Sequence, residues 1–324
     1  MLRHLTNRTR DCNARGLATR PGSGETRRGV TSGGAGPRMA YDELDRFLAG
    51  ARGGTGPVAL ILAEDGIELA STIRHHSRIG FDRIAVLAPG HVAPARGPGT
   101  DAAAHLRFDA RAPGAAARAV NRAIAALPGR WIYWGYNAEY LFFPFCEHRA
   151  IAEALAFVAE ERRESVHACV VDLYAGDPAD HPSGVSVEDA CLDLSGYYAL
   201  ARKGPDGAPL ERQLDFFGGL CWRFEEHVPP DRRAIGRVAL FRARPGLAMD
   251  EAGRFSDPEF DTYECPWHHS LSAAVCSFRA AKALRANPGS AAAARDFRWR
   301  NSGRFDWRSQ QLMDLGLMEP GQWF

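Results

Sequence analysis

The feature that most constrains this chain is "PVALILAED", residues 57–65, a continuous apolar run that stops on two carboxylates. A strand with one wet face alternates apolar and polar residues. A run without alternation, too short for a buried helix, suits a strand covered on both faces, as in a parallel sheet. The next segments repeat the theme. "GIELASTIRHHSRIG" has helical spacing at Ile67, Ala70, Ile73 and Ser77 and stops at Gly80, and "DRIAVLAPG" reads as a second strand. "AHLRFDA" reads as a third strand, "GAAARAVNRAIAALPG" as a second helix and "RWIYWG" as a fourth strand. Strands alternating with helices predict a doubly wound α/β nucleotide-binding half.

Beyond it, "RAIAEALAFVAEERRE" (149–164) predicts a helix, its charged end solvated, and "VHACVVDLYAG" (166–176) a strand that carries Asp172 inside it. A region rich in Asp, Gly and Pro, 177–235, reads as a long insertion. "GRVALFRARPG" predicts another strand, and "SLSAAVCSFRAAKALRANPG" (270–289) a helix with Ala273, Cys276, Ala280 and Leu284 on one stripe. The predicted organisation is one α/β domain over 39–290 and a C-terminal extension, 291–324, whose alternating arginines and rings pack onto the domain by cation–π contacts.

Charge sharpens the reading. Residues 1–38 hold eight Arg and only Asp11 and Glu25; they carry +6 of a chain whose net charge is +1, which leaves the remainder at −5. A mildly acidic body argues against general nucleic-acid binding. The first 38 residues lack both the apolar core of a secretory signal and an apolar helix face, so a disordered leader is expected, with Met39 as a second start position. Seven cysteines without a Cys-x-x-Cys pair imply reduced thiols and a cytoplasmic compartment. No apolar run reaches the ~20 residues of a membrane span, so any membrane association is peripheral.

Several signatures are absent: Gly-x-Gly-x-x-Gly, a Walker loop, Gly-x-Ser-x-Gly and His-Glu-x-x-His. Dehydrogenase, P-loop, serine hydrolase and zincin chemistries are therefore not indicated. Open α/β sheets bind ligands at the carboxyl ends of their strands, which nominates Glu64, Asp65, Asp109, Asn137 and Glu139. His75, His76 and Arg74 read as surface or helix-packing residues.

Read in order, "ALILAEDGIELASTIRHHSRIGFDRIAVLAP" and "RAVNRAIAALPGRWIYWGYNAEYLFFP" resemble the family 2-like glycosyltransferases of the GT-A fold. Those proteins follow a polar-ended first strand with a His-bearing helix and a Gly-aromatic-Asp turn, here His76 and Gly80-Phe81-Asp82. A Trp-led strand then runs into Asp-x-Asp-Glu-Phe-Leu. The resemblance covers residues 57–145 and extends more weakly to about 285. It implies a GT-A sheet and transfer of a sugar from a nucleotide-sugar donor to an acceptor hydroxyl, in making a bacterial surface polysaccharide or glycan. A divalent cation, Mn²⁺ or Mg²⁺ held by carboxylates, would neutralise the departing diphosphate.

The departure from the family is specific. With Trp131 and Glu139-Tyr140-Leu141 aligned to the motif, Tyr136 and Ala138 stand where the two Asp belong. The resemblance then implies Glu64 and Asp65 along the nucleotide pocket and Asp109 on base or ribose. It puts Asn137 and Glu139 at the diphosphate or metal, with His268 or His269 completing the site from the loop before a helix, and leaves Tyr136 to bind the nucleotide sugar by stacking on a ring or donating a hydrogen bond. Asp215 or Glu226 would deprotonate the acceptor, and Gly218-Gly219 would let backbone approach the ligand. Two other readings compete: a relative that binds a sugar or nucleotide without transfer, and an interaction protein that docks through its aromatic tail.

Overall fold

The computed structural model describes residues 37–177 and 179–323. The leader reading therefore falls, up to residue 36, outside the described residues. After α1 (Pro37–Ala51) come β1 (Val58–Leu62), α2 (Leu69–Arg78), β2 (Arg83–Ala88), β3 (Ala103–Arg107), α3 (Ala115–Ala126) and β4 (Trp131–Tyr136). These four strands are parallel in the order β3-β2-β1-β4.

The continuous apolar run has its reason here. Val58, Leu60 and Leu62 pack beneath α1 and α3 with Leu44, Leu48, Val120 and Ile124; Ala59, Ile61 and Ala63 face α2 and, beyond it, α4 (Ile151–Glu160), with Ile73, Leu155 and Val158. Every β1 residue is buried. Each large side chain so covered contributes about 1.5–3 kcal/mol.

A short strand, β5 (Glu139–Phe142), turns back directly after β4, with Ala138 at φ 60°. Past α4 lie β6 (Ser165–Ala175), β7 (Ala190–Asp193), the hairpin β8 (Tyr198–Lys203) and β9 (Pro209–Phe217), and α5 (Gly219–Arg223). β10 (Gly236–Arg242) runs antiparallel between β4 and β6, and β11 (Ala273–Ser277) lies parallel to β6 and antiparallel to β5. α6 (Arg279–Ala286), α7 (Pro288–Ala291), β12 (Ser302–Arg304) and α8 (Ser309–Asp314) complete the chain. The result is an α/β fold with a mixed sheet flanked by helices, compatible with a Rossmann-like arrangement. Its long insertion contributes a sheet strand and a hairpin rather than loop alone.

One element differs from the sequence expectation. Residues 270–289 do not form one helix: Ala273–Ser277 is a fully buried strand, and α6 begins only at Arg279. Small residues with helical propensity fill the narrow slot between β5 and β6, and tertiary pairing overrides that propensity.

The tail is tied down by its rings. Trp299 donates to Asp193 (2.8 Å), Trp307 to the Val187 carbonyl (3.1 Å), and Trp323 packs against Phe143, Phe145 and Phe157. Its cation–π partners are body arginines, Arg223 over Trp299 and Arg149 over Trp323. Among the described residues no helix is long and apolar enough to cross a membrane. Cys146, Cys169, Cys191, Cys221, Cys265 and Cys276 are free thiols.

Candidate functional site at the carboxyl rim

β1 connects to β2 on one side and lies against β4 on the other, so the crevice beyond their carboxyl ends is the switch point where α/β sheets bind ligands. Four nominated residues meet there. Asn137, fully buried, accepts the Glu64 N–H on Oδ1 (2.9 Å). Its Nδ2 donates to Asp65 Oδ1 (2.7 Å) and to the Ile67 carbonyl (2.9 Å). One amide thus ties the turn after β1 to the end of β4.

The cations come from elsewhere in the chain. Arg279 forks Glu64 through Nε (3.0 Å) and Nη2 (2.6 Å), and its guanidinium lies 3.7 Å over the Tyr136 ring. Lys282, three residues on along α6, holds Asp65 at 3.0 and 3.2 Å. Burial opposes ionisation of Asp65, but the Lys282 ammonium, the Ile67 N–H and the Asn137 amide together outweigh it and the carboxyl falls below its ordinary range. α6 is set in place by the Phe278 N–H on the Ala138 carbonyl (3.0 Å) and by the Arg279 N–H on Ser277 Oγ (3.1 Å).

Glu139 has a different role from the one expected. It is 1% exposed, and both oxygens are engaged. Oε2 accepts the Tyr136 N–H (2.8 Å) and Arg237 Nη2 (2.5 Å); Oε1 accepts Ser277 Oγ (3.1 Å) and Arg237 Nη1 (3.3 Å). Arg237, reaching from β10, also lies 4.9 Å from the Trp134 ring. Burial raises the Glu139 pKa, but Arg237, Arg279 and the Tyr136 N–H together outweigh it, and the carboxyl is held below its ordinary range. Gly135 is required beside it, because a Cβ there would lie 3.1 Å from Glu139 Oε2 and closer still to the Tyr133 hydroxyl.

The histidines lie at the other end of β11. His268 and His269 precede its first residue, whereas Glu139 pairs with its last, Ser277. At ~3.3 Å per residue, roughly 15 Å of strand separates them. His268 Nδ1 approaches Glu161 (3.5 Å) at the end of α4, and His269 pairs with Glu264 (2.9 Å). The helix they were expected to precede is the strand β11.

Three other nominated acids also stand apart. Asp109, exposed at the end of the edge strand β3, accepts the N–H of Arg111. Asp215 is paired with Arg202 (2.8 Å) on the hairpin, and Glu226 is exposed beside His227. Gly218 and Gly219 do permit a close approach, but to the protein itself: a Cβ on Gly219 would lie 2.7 Å from Asp172, and one on Gly218 would collide with Tyr197. Asp172 is buried and accepts the Cys221 N–H (3.2 Å), and burial pushes its carboxyl up to about 7.

No family model matches this chain, and no curated protein matches it.

The donor set does not fit a divalent cation. Glu139 is saturated by Arg237, Ser277 and a backbone N–H, the Asn137 carbonyl is spent on Glu64, Ala138 carries no ligand, and both histidines are remote. Among the described residues no group of three His, Cys, Asp or Glu side chains is placed to hold a metal. The rim offers instead two carboxylates after β1, a ring on β4 and two α6 cations, with Arg279 and Glu64 its more accessible pair. Sequence reasoning missed Arg237, Arg279 and Lys282; the i, i+3 spacing of Arg279 and Lys282 was the one available signal.

Proposed function

We propose that the rim beyond β1 and β4 binds a nucleotide sugar, and that the chain is a glycosyltransferase-like protein of the GT-A type acting on an acceptor hydroxyl. The observation that carries this reading is the convergence of Glu64, Asp65, Tyr136 and Asn137, from segments 71 or more residues apart, on the switch point of the sheet. Glu64 and Asp65 offer acceptors to ribose or sugar hydroxyls, and Tyr136 offers a ring edge. The sheet order, with an antiparallel β10 between β4 and β6, also suits that fold.

A second reading, binding without transfer, is favoured by the commitment of Glu139 to Arg237 and by the distance of Asp215 and Glu226 from the rim. Two assays separate the readings. A thermal-shift panel of nucleoside diphosphates with and without Mn²⁺ tests the site: one of them raises the melting temperature by several degrees, and no response from any would sink both readings. Release of free sugar from the matching donor then supports transfer; tight binding without turnover supports the second reading.

A further inference from the structure

The resemblance asks for a metal at this rim, and the residues present do not supply one. We infer that Arg279 takes the metal's place as the phosphate-binding group of the site, its guanidinium held by Glu64 on one edge and presenting the other edge to the diphosphate of the ligand. The inference rests on the nucleotide reading of the rim and adds to it how the anion is met.

The geometry favours this use of Arg279 over a purely structural ion pair. A guanidinium has five N–H donors in a rigid fork. Nε and Nη2 are the nitrogens that reach Glu64, and Nη1 has no protein partner among the described residues. The side chain is 42% exposed while its mate Glu64 is 20% exposed, so Arg279 is the more open member of the pair. Tyr136 beneath the plane, Ser277 on the backbone N–H and Glu64 on the near edge fix the orientation in advance. A preorganised planar donor is suited to phosphate oxygens, and little side-chain freedom remains to be lost on binding. Lys282 on the same helix face adds a second positive charge behind it.

Arg237 differs in kind. Its side chain is 14% exposed, and it faces the buried Glu139. Of the three rim cations, Arg279 alone combines exposure with unused donors.

Calorimetric titration of the full chain in EDTA tests the inference, with nucleoside diphosphates, the parent nucleosides and inorganic pyrophosphate as probes. Wild type binds a nucleoside diphosphate without a divalent cation, and pyrophosphate competes. Arg279→Ala weakens that binding roughly 10- to 100-fold, the range for hydrogen bonds to a charged group. Arg279→Lys recovers little, since an ammonium keeps the charge but not the fork. Arg279→Lys also serves if Arg279→Ala fails to fold, since it keeps the stem and a positive charge beside Glu64. Unchanged affinity in Arg279→Ala or, should that variant not fold, in Arg279→Lys, an absolute need for Mn²⁺, or a nucleoside binding as tightly as its diphosphate each overturns the role of Arg279 and leaves the nucleotide site standing. Absence of binding by every probe removes the nucleotide reading as well.

Discussion

Two acidic regions, both flanked by aromatic residues, are built on opposite principles. At the carboxyl rim each carboxylate is matched: Glu64 with Arg279, Asp65 with Lys282, Glu139 with Arg237. At the far end of β11, Glu161 is 6% exposed, neither of its oxygens has a hydrogen-bond partner, and His268 stands 3.5 Å away. A shallow depression of about 330 Å³ lies there, lined by Glu160, Glu161, Arg162, Trp267 and His268. The comparison teaches that concavity and chemistry need not coincide. The rim has converging, oriented donors and acceptors; the corner has a hollow and an acid whose oxygens accept no hydrogen bond.

The largest effect expected from this contrast is at the matched buried pair. Glu139→Ala leaves Arg237 buried without a counter-charge and costs about 3–5 kcal/mol by denaturant unfolding. A cost under about 1 kcal/mol would mean that the pair does not clamp β4, β10 and β11 together. Next comes restoration of the family motif. Ala138→Asp places a carboxylate at a fully buried position in left-handed backbone, where it destabilises by about 2–4 kcal/mol and confers no Mn²⁺ response. A gain of Mn²⁺-dependent stability in that variant would restore the metal reading.

Asp172 gives a pH test. Its folded pKa is raised from 3.8 to about 7, so the folded state holds a proton that the unfolded chain releases. Its contribution to stability is therefore present at low pH and is lost as pH rises from about 4 through 7. Asp172→Asn should melt a few degrees higher than wild type at pH 8 and show no advantage at pH 4; equal gains at both would disprove the proton linkage. The smallest effect belongs to the unmatched corner. Burial raises the Glu161 pKa, with His268 and Arg163 only partly offsetting it, so the acid costs stability as pH rises above about 4.5. Glu161→Gln should stabilise by about 1 kcal/mol at pH 8 and by less at pH 5, by thermal melting.

How much was legible depends on the range of each interaction. β1 declares itself because burial on both faces is written into consecutive residues. Glu64, Asp65, Tyr136 and Asn137 are found from where two such strands end. β11 does not declare itself: "AAVCS" has no alternation, and its small residues fit a helix stripe as well as a slot between strands. His75 and His76 read as packing residues, and their burial under Tyr140, Phe142 and Tyr133 lowers them to about 3 and 4, which keeps them neutral. Arg237 and Arg279 were invisible for a plain reason. Their partners lie 98 and 215 residues away in the chain, and an arginine's local sequence carries no mark of so distant a carboxylate. The same blindness placed the histidines at the rim, because a strand read as a helix reverses which end its preceding loop occupies.

A crystal structure of the protein with a bound nucleoside diphosphate, grown in EDTA, tests the central claim most directly. The account predicts phosphate density on the free edge of Arg279, with the nucleoside lying across the ends of β1 and β4 near Glu64 and Tyr136. Density in the hollow beside Trp267, or phosphates turned away from α6, would contradict it.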